Sequence, residues 1–265
     1  MDLHLYPTTL SRDQAIRATT RVLGLLFDHR HFTYAELIER LYRSEKLPGR
    51  LVEAPAQTVF IRHSLTAVRG EAPSPGVVTE YRTVIDELKG AGLAVEDVAS
   101  ALDRLDPSVS PSTRQGLHQL LETLRHYQSC LARAGLVDQG DRVLAVVSHL
   151  NHHLKAGTRP ALLHGVRRVI VHDVYHLSLM HYALIALLIK LVDEGGLLQH
   201  FSSGLNIDAV SFAEFTWQRF VADESLAALV LPEFARPRPR GGNLEALSER
   251  LFTGRPVACL APTRR

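Results

Sequence analysis

Gly165-Val-Arg-Arg-Val-Ile-Val171-His-Asp-Val-Tyr-His-Leu-Ser178 is the stretch on which the fold turns. Residues 167–171 are short, β-branched and bounded by Gly165, the signature of a buried strand. Ser178 then reads as the cap of a helix that runs to Val192 and stops before Gly195-Gly196. A strand feeding a helix is the repeating unit of a parallel α/β sheet. Outward from it, Leu197 to Ser202 and Val257 to Leu260 are further strand candidates, and Leu3 to Tyr6, stopped by Pro7, is one at the other end. Leu244 to Phe252 reads as a short helix, and Arg236-Pro-Arg-Pro-Arg240 as a linker-like loop.

Between these pieces the pattern is helical. Ser11-Arg-Asp-Gln14, Thr33-Tyr-Ala-Glu36 and Ser211-Phe-Ala-Glu214 have the spacing of capping boxes, in which a hydroxyl accepts an early backbone N–H and the acid or amide reaches back. The first helix carries Ile16, Thr19, Val22, Leu23 and Leu26 on one stripe, the second Leu37, Ile38 and Leu41. A turn over 47–55 leads into a segment with Val59, Phe60, His63 and Val68 on its apolar side. Pro75, Ser110-Pro111 and Asp138 then open further helices, and Gly90, Gly92, Gly135 and Gly157 close them. Residues from about 50 to 156 read as helix after helix without a strand. The expected fold is an α-rich α/β protein: an incomplete RecA-like parallel sheet from 1–45 and 159–265, interrupted by an all-helical subdomain over 46–158.

Composition narrows the function. The chain has 265 residues, 46% hydrophobic and 22% charged, enough to bury a core. Aromatics are 6%, few for a protein that stacks single-stranded bases. The net charge of +2 does not by itself indicate nucleic acid, but only Lys46, Lys89, Lys155 and Lys190 are lysines, so arginine carries most of the positive charge. Coding bias toward arginine is the simpler explanation of this pattern. Cys130 and Cys259 form no CxxC pair. The start of the chain lacks the pattern of a signal peptide, and Ala183 to Val192 is about half a membrane span. A cytoplasmic protein is expected.

Several catalytic patterns are absent or incomplete. No Gly-Lys-Ser/Thr phosphate loop exists, so the usual route of ATP hydrolysis is closed. Glu87-Leu-Lys89 matches the short half of a PD-(D/E)xK nuclease motif, but on a helix and without a preceding strand aspartate, and is read as chance. His149 and His153 are four apart on one helix, with His152 beside them; His172, His176 and His181 form a looser group. With 14 histidines such pairs arise by chance, and no metal site is assigned. No serine sits in a Gly-x-Ser-x-Gly setting.

In order, His31-Phe-Thr33-Tyr-Ala-Glu-Leu37-Ile-Glu-Arg-Leu41, Gly76-Val-Val-Thr-Glu-Tyr81, Gly135-Leu-Val-Asp138-Gln-Gly-Asp141 and Gly165 to Ser178 resemble the N-terminal half of UvrD-like superfamily 1 helicases. The resemblance is closest to the degenerate helicase half of AddB-type helicase–nuclease subunits, members of the PD-(D/E)XK nuclease family. It implies an exonuclease-associated role in DNA repair and recombination. In that family the Thr- and Phe-containing extended piece contacts DNA, and the strand ending in acid is the Walker B strand. By this resemblance His172 and Asp173 hold a degenerate Walker B position, shifted by one residue. Since strand residues alternate faces, Asp173 would point away from the usual magnesium. Thr33, Tyr34 and a helix face of Arg12, Arg17 and Arg21 are the expected DNA contacts. The family's phosphate loop would precede the first matched piece, where the chain starts too late to hold it; the second motor half and the nuclease are also absent. The expectation is therefore a degenerate module without its own cofactor, with ATP and magnesium entering only through a missing segment or partner. Its partners would be single-stranded DNA and a helicase–nuclease subunit, and no membrane. The alternatives are a protein-interaction module that binds no DNA and a metal-dependent hydrolase using the histidines.

Overall fold

A computed structural model describes residues 1–24, 30–172, 177–192, 194–199, 219–220, 222–227 and 230–234. The chain divides into two compact units. One comprises Met1–Glu39, His153–Leu177 and Ile185–Arg265, the other Arg40–His152 and Ser178–Leu184. The borders at 39/40 and 152/153 fall inside helices; the sequence reading sets them at 45/46 and 158/159.

The first unit is built on a five-stranded, wholly parallel sheet. Its strands are β1 (Asp2–Tyr6), β2 (His31–Thr33), β5 (Arg168–His172), β6 (Glu194–Gln199) and β7 (Val230–Phe234). Spatially they lie β2-β1-β5-β6-β7. In chain order this is 2-1-3-4-5, one of the common doubly wound arrangements, and the order reverses between β1 and β5. α1 (Thr9–Leu23) joins β1 to β2 and packs on both. α8 (Leu179–Leu191) joins β5 to β6.

The two faces of β1 and β5 differ. Leu3, Leu5, Val169 and Val171 are each 0% exposed and, with Phe32 of β2, make an apolar face. The alternate positions carry Asp2, His4 and Tyr6 on β1, and Arg168, Ile170 and His172 on β5. Alternation of this kind is more usual in antiparallel sheets, since parallel strands buried on both faces read as continuous apolar runs.

The second unit is helical: the end of α2 (Tyr34–Ser44), then α3 (Ala54–Arg69), α4 (Pro75–Gly90), α5 (Val95–Asp103), α6 (Pro111–Arg133) and α7 (Gln139–Ala156). α3 packs on α4 and α6, and α5 on α6. Ile61, Leu65, Val78, Ile85, Leu124, Tyr127 and Leu131 form the core. Ser74 and Ser110 cap α4 and α6 through their hydroxyls, each with proline in the first turn, and the Thr33–Glu36 box starts α2 as its sequence predicts.

Four expectations are corrected. The first helix is capped by Thr8, not Ser11: Thr8 Oγ1 accepts from the Ser11 N–H at 3.1 Å, and Ser11 lies in the first turn. On α3 the buried positions are Gln57, Ile61, Ser64 and Leu65, while Val59 is 66% exposed. The helical segment is not free of strand, because β3 (Arg50–Leu51) and β4 (Leu136–Val137) form a two-residue parallel ladder. Gly195-Gly196 do not precede the strand but lie inside β6. A Cβ on Gly195 would come within 2.6 Å of Ile189 on α8, so the helix lies too close for any side chain there. The stretches 200–202, 211–214, 236–240, 244–252 and 257–260, Leu26 of the first stripe, and Asp173 and His176, lie outside the described residues.

Candidate functional site

In doubly wound sheets ligands gather beyond the carboxyl ends of the strands, where the strand order reverses. Here that point lies at the ends of β1 and β5, beside β2. The strands bring Tyr6, Thr33 and His172 to it, with His4 and His31 one step behind. Tyr6 and His172 stack at 4.3 Å between ring centroids, and His4 and His31 at 4.5 Å. His4 Nδ1 and His172 Nε2 are 3.0 Å apart, so one ring donates and the other accepts. Tyr6 Oη and His31 Nδ1 are paired at the same distance. Tyr6 is 2% and His172 7% exposed. These rings stack on one another, with Tyr6 and His172 buried and His4 and His31 half-buried.

Ahead of the first matched piece, β1 enters α1 through Pro7 and Thr8 alone, a strand–turn–helix unit. Phosphate loops work by turning consecutive backbone N–H groups of a glycine-rich loop and helix N-terminus toward the anion. In this turn there is no glycine and no lysine. The Thr8 hydroxyl accepts the Ser11 N–H, and the Thr8 carbonyl accepts the Arg12 N–H at 3.2 Å. One N–H of the first helical turn is thus satisfied by the Thr8 side chain.

Of the expected DNA contacts, Arg12 is engaged elsewhere. Its guanidinium pairs with Asp13 at 2.7 Å and with Glu36, which also accepts the Thr33 N–H at 2.9 Å. Burial pushes the Glu36 carboxyl up, but the bonds from Arg12 and Thr33 outweigh it and hold it below the usual glutamate range. Thr33 is 6% exposed, and its hydroxyl accepts the Glu36 N–H at 3.3 Å. Thr33 and Arg12 therefore fasten α2 and α1 and do not face outward; Tyr34 is the first residue of α2. Arg17 and Arg21, one helical turn apart on α1, are exposed and have no ion pair among the described residues. They do not share a face with Arg12, since a five-residue step on a helix turns through about 140°. His172 is the last residue of β5, and its ring bonds to His4.

The second unit holds a buried polar network that the sequence does not announce. Lys89 of α4 pairs with Asp138 and, at 2.9 Å, with Asp141; Tyr127 of α6 donates to Asp138 at 3.0 Å. Asp138 and Asp141 also form the capping box of α7. Burial pushes the Asp138 carboxyl up, and the Lys89 charge opposes it. Burial, then Asp138, push the Tyr127 phenol far up, so it stays a donor. A cavity of about 170 Å³ opens beside Lys89, Gln128 and Asp141. This is below the roughly 300–1,000 Å³ of small-molecule sites, so the network serves to lock three helices together. Glu87-Leu-Lys89 thus has no metal-binding partner strand, and its lysine belongs to this lock. His149 pairs with Glu45 at 3.0 Å, and His153 Nδ1 with the Thr158 hydroxyl at 2.8 Å. His181 Nδ1 lies 2.8 Å from the Ser178 hydroxyl at the start of α8.

No protein-family model and no curated protein matches the chain. Among the described residues no helix is long and apolar enough to cross a membrane.

Proposed function

We propose that this chain is a catalytically silent, helicase-derived module of a helicase–nuclease that acts in DNA repair or recombination and contacts the DNA backbone without sequence preference. The observation that carries the reading is the β1–α1 turn. On this reading the turn stands where the family carries its phosphate loop: it joins a strand of a parallel sheet to a helix, that helix is capped by Thr8, and the turn has neither glycine nor lysine. RecA-like ancestry is part of this proposal. It rests on the ordered motifs and on the helical segment inserted between β2 and β5, since several doubly wound families share the strand order. The DNA contacts are narrowed to Arg17 and Arg21 of α1, whose guanidinium groups suit forked phosphate contacts.

The test is a titration of a fluorescently labelled single-stranded oligonucleotide, followed by anisotropy at low and moderate salt. Saturable binding that weakens with salt is expected. Absence of binding at low salt overturns the DNA-contacting role and turns the reading to a module that binds a protein partner alone.

A further inference from the structure

α3 and α6 bring together three side chains, one of which, His63, lies far from the other two in the sequence. His126 and Cys130 are four residues apart on α6 and therefore share one of its faces. His63 comes from α3, which packs against that face. The His63 and His126 rings have centroids 5.4 Å apart. One potential ligand atom from each of the three residues lies within 4.8 Å of the others. Cys130 Sγ and His126 Nδ1 are 3.6 Å apart. A tetrahedral zinc ion with ordinary Zn–N and Zn–S bonds sets its nitrogen and sulfur ligands about 3.5 Å apart. That pair already stands at ligand spacing, and His63, exposed on the surface, can close on it by rotating its side chain.

We propose that His63, His126 and Cys130 form a zinc site with one open coordination position, taken by water. The ligand set is a thiolate and two imidazoles, the borderline-soft combination that zinc favours over magnesium or calcium. The surroundings fit such a site. Arg133 donates from Nη2 to Cys130 Sγ at 3.3 Å, a bond that a metal-bound thiolate accepts well. The Ser64 hydroxyl gives its one proton to the Phe60 carbonyl at 2.9 Å, so in the metal-free state His126 Nδ1 donates to Ser64 Oγ at 3.1 Å. Zinc replaces that proton on Nδ1, and the neutral ring carries it on Nε2 instead. Cys130 gives up its thiol proton to solvent, so one proton is released per ion bound. Cys130 is 6% exposed while His63 is exposed, which leaves the open position on the solvent side.

Purified protein is titrated with Zn²⁺ by calorimetry in two buffers of different ionisation enthalpy, and with Co²⁺ by absorption. The expected results are one ion per chain, close to one proton released, and a near-ultraviolet thiolate-to-cobalt charge-transfer band. His63→Ala, at an exposed position where folding is not at stake, is expected to weaken zinc by at least about tenfold, in line with the sensitivity of zinc sites to single contacts. Cys130→Ser is expected to abolish the cobalt band, and His149→Ala to leave both readouts as in the wild type. No stoichiometric zinc overturns the proposal. So does zinc that binds His63→Ala with unchanged affinity, or whose binding follows His149 instead.

Discussion

Lys89 shows how a single residue can be misread from sequence and still be essential to the fold. It lies beside Glu87 in a pattern that suggests a metal nuclease, yet its ammonium is buried and held by Asp138 and Asp141, 49 and 52 residues on. Replacing one partner of a buried pair leaves the other charge uncompensated. Lys89→Met is therefore expected to cost about 3–5 kcal/mol in urea unfolding, and Lys89→Met with Asp138→Asn, which removes the unpaired charge but keeps an acceptor for Tyr127 and for the α7 cap, to recover part of that loss. An equal loss in the double variant would show that the lysine acts by packing alone. Glu36 gives a pH signature. Its folded carboxyl titrates below the ordinary range, so its stabilising contribution is full above that range and is lost as pH falls through the depressed value. Glu36→Gln is expected to flatten the acid limb of a stability-versus-pH curve. An unchanged acid limb would mean that the Arg12–Glu36 pair contributes nothing measurable. Neither pairing is visible in sequence, because contacts across dozens of residues leave no local pattern; Gly140 packs against the lysine, and a Cβ there would come within 2.6 Å of the Lys89 Cβ.

Among the elements, what is local was readable and what is tertiary was not. The Thr33–Glu36 box, Ser74-Pro75, Ser110-Pro111 and the closing Gly135 and Gly157 act through bonds and φ angles inside a few residues, and each is where its chemistry calls for it. The buried face of α3 was only partly readable: Phe60 packs against the core, Val59 does not, and the face also carries Gln57 and Ser64. Both are satisfied, Gln57 by Asp86 at 3.0 Å and Ser64 by the Phe60 carbonyl, so polar residues occupy positions that periodicity assigns to solvent. In β6, Gly195-Gly196 resembles a helix stop followed by a loop. The reason for glycine there is the approach of Ile189 from α8, which no local rule anticipates. Gly195→Ala is expected to destabilise the protein by about 1–3 kcal/mol through overpacking, measured as a lowered urea midpoint at unchanged slope. A neutral or stabilising effect would show that α8 can shift away from the strand.

For the molecule as a whole, the parallel α/β class was legible from Gly165 to Ser178, because a short β-branched run feeding a helix has few other uses. β7 was missed, since Val230-Leu-Pro-Glu-Phe234 carries a proline and a glutamate and does not read as a strand. The site was legible only in part. The sequence singled out Thr33, Tyr34, Arg12, Arg17, Arg21 and His172, but the fold uses Thr33 and Arg12 as fasteners and buries His172 against His4 and Tyr6. The pairing of His63 with His126 and Cys130 escaped notice because it joins two helices, with His63 and His126 63 residues apart in the chain. What remains outward on α1 is Arg17 and Arg21. The most direct measurement is therefore the salt dependence of binding to a labelled single-stranded oligonucleotide, wild type against Arg17→Ala/Arg21→Ala. If α1 holds the DNA backbone, log K falls linearly with log salt for the wild type. The double variant then binds more weakly, with the slope reduced by about one unit per lost phosphate contact. Equal affinities and equal slopes for the two proteins would contradict this role for α1.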